Sequence, residues 1–291
     1  MGMVPGNVSS VREYYDTSTW LYRWFYYDRE SLGMHYGFWP TPGTTRREAL
    51  INQYRLIRDL LSPKAGDRIL DAGCGVGGAS LWLAANTPAD YVGITISEVQ
   101  AKLARVYTHK RNLHDRVRIS VQNFFNTEFG NGTFDKIFAI ESFCHSYPDP
   151  RRLCAELFRI LKPGGTLAIA DGVLLRRPCD GIESKLLEEF CTGFKMMGWS
   201  TVDDIAAALR RVGFTNVRHI DKTVEVRPSI TDIWHRGQRL APLIHLLCYL
   251  GISTKTEEEN LLATRSQKIL YEKGLVGYGV FMAEKPTAEK T

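Results

Sequence analysis

The chain has 291 residues, of which 44% are hydrophobic and 24% are charged, as in an average globular protein. This composition excludes a disordered, fibrous or low-complexity protein, and the length allows one large domain or two modest ones. The formal net charge of +5 reflects 37 basic and 32 acidic residues, without the runs of like charge that form nucleic-acid-binding arms. We therefore expect no nucleic-acid partner.

The cysteines and the apolar segments also exclude several classes of protein. The six cysteines contain no C-x-x-C pair, which favours reduced thiols in a cytoplasmic protein. The N-terminus has no basic region followed by an apolar segment, the pattern of a secretory signal. The longest apolar stretch, residues 241–252, contains His245 and is too short to cross about 30 Å of hydrocarbon as a helix. We expect no transmembrane segment, and the sequence is compatible with a homo-oligomer.

The first 48 residues are unusually rich in aromatic side chains. These aromatic residues are concentrated before Pro40, and they are too many for all of them to be core. We interpret residues 1–48 as an N-terminal aromatic lid that contains a helix.

Residues 49–173 form the predicted core segment. From Arg68 to Asp171 short apolar runs alternate with amphipathic ones, which predicts βαβ units on a parallel sheet. The predicted strands lie near 68–72, 91–95, 117–121, 134–140 and 166–171, and the predicted helices between them span 78–86, 97–112 and 150–161. The last helix has clear boundaries, with Asp149 as N-cap, Pro150 in the first turn and Gly164 beyond its end.

Residues 174–291 continue with elements outside this alternation. The pattern predicts helices at 182–198 and 202–212, a strand at 214–220, about fifty residues of helical character and a final strand at 276–284. A long helical insertion between two strands predicts remaining core strands that carry a helical cap.

The turn after the first predicted strand reads ILDAGCGVGG (69–78), in which Gly73, Gly75 and Gly78 satisfy G-x-G-x-x-G. Such a turn lets a ligand lie against the backbone at the carboxyl end of the strand, although the pattern alone is a weak signal. Asp71 would repel a pyrophosphate there, but it suits a ligand that carries an ammonium and a sulfonium. Thr95 stands where NAD-binding folds place an acid.

These residues resemble the first motif of the class I methyltransferases that use S-adenosyl-L-methionine, a strand followed by D-x-G-C-G-x-G. GITISEVQ (93–100) and ILKPGGTLAIAD (160–171) are similar to later motifs of the same family, and the resemblance is closest over residues 60–180. It implies an α/β fold, the Rossmann-like class I methyltransferase fold, with a seven-stranded, mostly parallel sheet flanked by helices. It also implies that the cofactor is S-adenosyl-L-methionine. The resemblance assigns cofactor binding to Tyr15, Asp71, Gly73, Gly75, Thr95, Ser97, Gln100, Asn123 and Phe124.

Three further segments resemble the branch that contains sterol and tocopherol methyltransferases and cyclopropane fatty-acid synthases. They are EYYDTSTWLYRWF (13–25), SLGMHYGFW (31–39) and AIESFCHSYPDP (139–150). Methylation of an alkene leaves a carbocation, which needs aromatic faces and a base that removes a proton. The resemblance makes Glu141 the base and His145 its backup or an orienting partner. The alternative is that Glu141 is only a capping residue and that His145 is a loop residue that hydrogen-bonds to backbone.

The predicted substrate is an isoprenoid alkene that is methylated on carbon. A prenyl diphosphate is favoured because paired arginines such as Arg176 and Arg177 follow the fifth strand and could bind its head group. A sterol-like molecule is also considered. If the substrate is a diphosphate, Mg²⁺ would help as a counter-ion, although no dedicated carboxylate cage is visible. The residues predicted to bind this small, lipophilic substrate are Tyr22, Tyr36, Trp39, Arg176, Phe194 and Trp199.

Other interpretations remain open. The segment 241–252 and the helix that carries Phe190 wall a lipophilic pocket or form ordinary cap core. The alternative reactions are methylation of a phenol, an amine or another small metabolite, and cyclopropanation of a lipid. A donor-binding protein without catalysis is a further alternative.

Overall fold

The computed structural model describes residues 5–25, 28–250 and 255–287. The strands are β1 (Arg68–Ala72), β2 (Asp90–Thr95), β3 (Val117–Val121), β4 (Phe134–Ile140), β5 (Leu161–Leu174), β6 (Thr215–Asp221) and β7 (Val276–Glu284). They form one seven-stranded sheet in the order β3-β2-β1-β4-β5-β7-β6. Neighbours from β3 to β5 are parallel, whereas β7 runs antiparallel to both β5 and β6. The predicted fold class is confirmed.

The helices cover both faces of the sheet and build the cap. They are α1 (Pro5–Phe25), α2 (Arg46–Leu61), α3 (Gly78–Asn86), α4 (Glu98–Lys110), α5 (Pro150–Ile160), α6 (Gly181–Gly193), α7 (Val202–Arg211), α8 (Thr223–Tyr249) and α9 (Lys255–Glu272). A short 3-10 helix, Phe143–Ser146, follows β4. The helices α8 and α9 fill the predicted insertion between β6 and β7, and α9 packs against α6. Every helix among the described residues is too short or too polar to cross a lipid bilayer.

The central strands are buried on both faces, which explains their continuous apolar runs. Ile69 and Leu70 of β1 and Ile137 and Phe138 of β4 have no measurable exposure. Because successive side chains of a strand point to opposite faces, each strand contributes to two hydrophobic layers. The two hydrophobic layers hold the strands in place, and the strands in turn hold the loops at the carboxyl edge of the sheet.

Two predicted elements differ from the observed ones. The helix predicted at 182–198 ends at Gly193, because Lys195 adopts a left-handed φ of +53° and the Met196 N–H bonds to the Cys191 carbonyl at 2.8 Å. The strand predicted at 166–171 begins earlier, at Leu161, because Leu161 already pairs with Phe134 across an irregularity, and it ends later, at Leu174. The predicted segment boundaries after residues 48 and 173 fall inside α2 and near the end of β5, and they stay predictions.

A buried carboxylate fixes the loop between β3 and β4. Glu156 of α5 accepts hydrogen bonds from the Thr127 N–H at 2.7 Å and its hydroxyl at 2.6 Å. The Arg159 guanidinium donates to both carboxylate oxygens, at 2.8 and 2.7 Å. Although burial raises the pKa of Glu156, the hydrogen bonds from Arg159 and Thr127 lower it below its ordinary value overall. This arrangement holds the loop that carries Asn123 and Phe124.

Replacing Glu156 with alanine should lower the free energy of unfolding by about 2–4 kcal/mol, because the buried donors of Thr127 lose their acceptor. Urea unfolding at pH 7 measures the effect. Glu128→Ala, in an exposed position of the same loop, is the control and should change stability by less than about 0.5 kcal/mol. Since the pKa of Glu156 is lowered on folding, its contribution is complete above about pH 4.5 and is lost as the pH falls further. A difference between Glu156→Ala and the parent that did not shrink below pH 4.5 would contradict this account.

Candidate active site

A cavity lies where the carboxyl ends of β1, β2 and β4 meet the lid, the expected position for a ligand in this architecture. Most of the predicted site residues line it. These are Tyr15, Tyr36, Asp71, Gly73, Gly75, Thr95, Gln100, Asn123, Phe124, Glu141, His145, Phe194 and Trp199. The fold therefore brings together residues from both ends of the chain and from four strand ends.

The glycine turn forms one wall of the cavity. Gly73 and Gly75 have φ values of +94° and +53°, in the left-handed region that favours glycine. The atom nearest to a Cβ placed on Gly75 would be the Met34 sulfur, 3.7 Å away, so a ligand can approach the backbone closely. The Gly73 and Cys74 N–H groups both donate to the Ile94 carbonyl, which ties the turn to β2.

Asp71 places a buried carboxyl group directly before this turn. Burial raises its pKa to about 7, although a hydrogen bond from the Ser80 hydroxyl at 2.7 Å acts in the opposite direction. A cationic ligand would offset the desolvation cost of this carboxyl group and keep it ionised. Asp71 thus fits the ammonium end of S-adenosylmethionine.

At the end of β2, Thr95 occupies the position where NAD-binding folds carry an acidic residue, and Gln100 of α4 bonds to it. The Thr95 hydroxyl donates to Gln100 Oε1 at 2.9 Å, and both side chains are buried. Ser97 does not line the cavity; its hydroxyl accepts from the Gln100 N–H at 3.1 Å to cap α4 and bonds to Asp16 of α1. Its position indicates a structural role that joins the lid helix to the core.

After β3, Asn123 accepts a hydrogen bond from the Phe125 N–H at 3.0 Å, which fixes the turn. Phe124 lines the cavity beside it. The open glycine turn, the buried acid and these polar groups fit S-adenosylmethionine. The roles of Asp71 at its ammonium, Thr95 and Gln100 at its ribose and Asn123 at its adenine stay predictions.

Glu141 directly follows β4 with a left-handed φ of +48°. Its carboxyl group accepts from the Tyr36 N–H at 2.8 Å and from the Tyr278 hydroxyl at 3.0 Å. It therefore joins the end of β4 to the 31–39 segment and to β7. Burial, together with the nearby Asp171, raises its pKa well above the ordinary value. Its surroundings therefore favour the protonated form of the carboxyl group.

His145 lies in the 3-10 helix and lines the same cavity. Its Nε2 lies 3.2 Å from the Tyr15 hydroxyl of α1, and its buried Nδ1 has no hydrogen-bond partner among the described residues. Burial lowers its pKa to about 4. The imidazole is therefore uncharged at neutral pH and can accept a proton.

Aromatic rings form another part of the cavity lining. Phe190 contacts Phe194 and Trp199 edge to face, with ring centroids 5.2 and 4.9 Å apart. The indole lies directly against Gly172, where a Cβ would come within 2.2 Å of it. The wall is rigid and mostly apolar.

Three buried residues of the site were not predicted from the sequence. Burial raises the pKa of Asp171 to about 7, and Asp171 accepts from the Cys144 N–H at 2.9 Å. Its place at the end of the predicted fifth strand was a signal for it. Tyr278 and Gln267 come from β7 and α9, and their approach to Glu141 and Tyr36 had no local signal.

Some predicted site residues lie elsewhere. The Trp39 indole N–H donates to Ser229 at 2.8 Å, so this ring faces α8 and not the cavity. Arg176 donates twice to Glu183, at 2.7 Å each, outside the cavity lining. The side chain of Tyr22 lies outside the described residues.

The structure also bears on the 241–252 segment and on a metal. Among the described side chains of α8, only Ile233 lines the cavity, and Ala241 and His245 face a groove with α9 instead. Among the described residues, the one group of three side chains able to ligate a metal is Cys179, Asp180 and Glu183. This group lies outside the cavity lining, and Arg176 already engages Glu183.

Solved structures with this fold include the [4+2]-cyclase SpnF, with a TM-score of 0.82, 22% identity and 97% of both chains covered. Geranyl diphosphate C-methyltransferase from Streptomyces coelicolor A3(2), in complex with Mg²⁺, geranyl diphosphate and S-adenosyl-L-homocysteine, has a TM-score of 0.72 at 20% identity. That match covers 97% of this chain and 98% of the other. At these identities the likeness is one of fold.

Sequence comparisons are more specific. A family model described as "Methyltransferase domain" matches residues 70–169. The chain is 33% identical over 229 residues to 24-methylenesterol C-methyltransferase 2 of Oryza sativa subsp. japonica, which covers 78% of this chain but 60% of that longer protein. It is 30% identical over 215 residues to 27-O-demethylrifamycin SV methyltransferase of Amycolatopsis mediterranei (strain S699), with coverage of 73% and 78%. It is also 30% identical over 278 residues to Methyltransferase GfsG of Streptomyces halstedii, with coverage of 95% and 94%. The chain belongs to the S-adenosylmethionine-dependent methyltransferases of class I.

Proposed function

We propose that this methyltransferase acts on a hydroxyl group of an uncharged, lipophilic small molecule, with His145 as the general base. The observation that carries the proposal is the buried, uncharged imidazole in the cavity of the glycine turn, with one ring nitrogen that no described residue engages. A buried polar atom without a partner is rare in proteins. A substrate hydroxyl is the kind of group that would supply one.

When bound, S-adenosylmethionine supplies an electrophilic methyl group. The apolar walls exclude water, and the residues of the cavity hold the acceptor in line. In the tautomer that donates from Nε2 to Tyr15, Nδ1 carries the lone pair. The hydroxyl oxygen gains the methyl group and its proton passes to Nδ1, so that S-adenosylhomocysteine and an imidazolium remain.

The charges of the cavity disfavour a prenyl diphosphate. Arg46 is the only lysine or arginine among the described lining residues, and it pairs with Asp232 at 3.3 Å. Three acidic residues line the same cavity, namely Asp71, Glu141 and Asp171. A diphosphate would meet carboxyl groups with few cations to balance them, so we propose an uncharged acceptor. The relative named for a 27-O-methyl group supports a hydroxyl acceptor.

A second candidate is methylation of an isoprenoid alkene on carbon, with Glu141 as the base and aromatic side chains around the carbocation. Glu141 favours it, since this buried carboxyl group contacts Tyr36 and Tyr278. The sterol C-methyltransferase relative supports it as well. Glu141 must be ionised to take the proton, however, and its raised pKa opposes ionisation. Cyclopropanation of a lipid would need the same cation and meets the same objection.

The test is incubation with donor whose methyl group is deuterated, followed by mass spectrometry and NMR of the products. The acceptors are hydroxylated lactones, phenols, amines, sterols and geranyl and farnesyl diphosphates. Three deuteriums on an oxygen would support the proposal. Three deuteriums on a carbon branch would overturn it in favour of the second candidate, and loss of one would indicate cyclopropanation or a methylene product. Deuterium on a nitrogen atom of the product would also overturn the proposal of a hydroxyl acceptor.

Glu141→Gln separates the two candidates. Glutamine keeps an oxygen that accepts from the Tyr36 N–H, so the hydroxyl reaction should retain kcat within about threefold of the parent. A base that removes a proton from a carbocation would instead be lost, with a fall in kcat of about 10²-fold or more. Initial rates of S-adenosylhomocysteine release measure the outcome. Equal donor affinity, measured by calorimetry, is the control for intact folding.

A further inference from the structure

We infer that the Trp199 indole N–H and the Gln267 side-chain amide form a polar subsite that binds oxygen atoms of the substrate, so that the acceptor molecule carries oxygen beyond its reacting hydroxyl. This inference rests on the proposed function, since it concerns the same cavity. It assigns the substrate to the oxygenated lipophilic compounds, such as hydroxyketones or lactones, and excludes simple hydrocarbons with a single hydroxyl.

Trp199 supplies a donor that nothing in the described part of the chain accepts. Its ring is 5% exposed and lines the cavity, and its Nε1 has no hydrogen-bond partner there. The contact with Gly172 and the edge-to-face packing on Phe190 hold the indole in place. Tryptophan is normally buried only where its N–H reaches an acceptor. A carbonyl, ether or hydroxyl oxygen of the substrate would be that acceptor.

Gln267 of α9 supplies the second group. It is 1% exposed and lines the cavity, and its amide nitrogen bonds to the Tyr36 hydroxyl while its Oε1 has no partner among the described residues. Rotation of the amide by 180° exchanges nitrogen and oxygen but still leaves one of them without a partner. The neighbouring Thr264 hydroxyl, by contrast, donates to the Leu261 carbonyl at 2.8 Å.

The other unpartnered atoms among the described residues are the His145 Nδ1 already discussed and one atom each of His35 and Gln53. Gln53 contributes a hydrogen bond to the His35 ring. Rotation of the Gln53 amide therefore pairs these two residues with each other.

The two groups act on specificity because a hydrocarbon would leave both of them buried and unpaired. Sites built to bind a polar group reject analogues that lack it far more strongly than apolar pockets discriminate by size. We therefore expect oxygen atoms to govern the choice among lipophilic acceptors of similar volume.

Binding of three ring compounds of equal carbon number tests the inference: cyclododecanone, cyclododecanol and cyclododecane. Each is measured by displacement of the fluorescent probe 1-anilinonaphthalene-8-sulfonate from the full chain saturated with S-adenosylhomocysteine. Trp199→Phe should weaken cyclododecanone binding about 10-fold. Gln267→Met should weaken cyclododecanol binding about 10-fold. Cyclododecane binding should change less than twofold in either variant.

Phe194→Leu is the matched control, because it alters the same wall without removing a polar atom and should affect all three compounds alike. If Trp199→Phe and Gln267→Met changed the three affinities by equal factors, the inference would be overturned. The measurement needs no methyl transfer. A protein that binds the ketone through Trp199 but methylates no hydroxyl would overturn the proposed function and leave the subsite standing, whereas uniform losses would overturn only the subsite.

Discussion

Replacing His145 with alanine should lower kcat for hydroxyl methylation by about 10²–10⁴-fold, the usual contribution of a positioned general base. Two imidazoles line the described part of the cavity, and that of His35 is engaged by the Tyr36 carbonyl and by Gln53. Asp71 and Glu141 are engaged by Ser80 and by Tyr36 and Tyr278, respectively. Donor binding should change little, because the His145 ring contacts Tyr15 of α1 and makes no hydrogen bond to the residues of the glycine turn. The expected signature is a loss in kcat at nearly constant affinity for S-adenosylhomocysteine.

Steady-state rates with the acceptor identified by deuterium transfer give the measurement, and calorimetric titration with S-adenosylhomocysteine gives the donor affinity. His114→Ala is the control, since the His114 side chain is 48% exposed and its contacts, with Asp115 and the His109 ring, lie outside the cavity lining. It should leave both quantities unchanged. Retention of more than a tenth of kcat in His145→Ala would remove the imidazole from the mechanism.

The pH dependence of the parent enzyme provides an independent check. An ordinary histidine, with a pKa near 6.5, would lose its basic form as the pH falls through 6.5. Burial lowers the pKa of His145 to about 4, so kcat should stay nearly level from pH 8 to pH 5 and fall below that. The same shift means that the unfolded chain takes up the proton first. The contribution of His145 to stability therefore decreases as the pH falls from about 6.5 to about 4, and rates should be measured well below the unfolding temperature.

The parts of the site that sequence could predict are those fixed by neighbours along the chain. Gly73 and Gly75 follow a buried strand, and Thr95 ends the next one, so the parallel sheet places them at one edge without any further information. Glu141 follows the fourth strand for the same reason. The local sequence determines which end of a strand a residue occupies. The strand order of the parallel sheet then brings these residues close together.

The parts that could not be predicted depend on contacts between distant segments. Arg176 occupies the expected edge of the sheet, but Glu183, one turn into α6, accepts both of its donors and removes it from the site. Trp39 similarly bonds to Ser229 on α8. Tyr278 and Gln267 approach the 31–39 segment only because α9 and β7 return to the cavity after a long insertion. No periodicity specifies such side-chain pairings.

A second large effect is expected at the glycine turn, where Gly73→Ala should weaken both folding and donor binding. A Cβ on Gly73 would lie 2.4 Å from the Ser142 Cβ, and the φ of +94° is one that alanine rarely adopts. The backbone strain costs about 1–2 kcal/mol, and the overpacking about 1–3 kcal/mol more. Because the Gly73 N–H bonds to the Ile94 carbonyl, a shifted turn also disturbs the donor site, and affinity for S-adenosylhomocysteine should fall at least 10-fold.

Two further variants separate strain from crowding. Gly66 has a φ of +84°, and no atom lies within 4 Å of the position that a Cβ would take there, so Gly66→Ala should show the strain alone and keep donor affinity. Adding Ser142→Gly to Gly73→Ala removes the colliding Cβ. It should recover part of the overpacking cost, although the Ser142 hydroxyl loses its bond to the Ala72 carbonyl. Urea unfolding and calorimetric titration measure each variant. If Gly66→Ala and Gly73→Ala lost equal stability and kept equal donor affinity, close packing against Ser142 would not be what requires glycine in this turn.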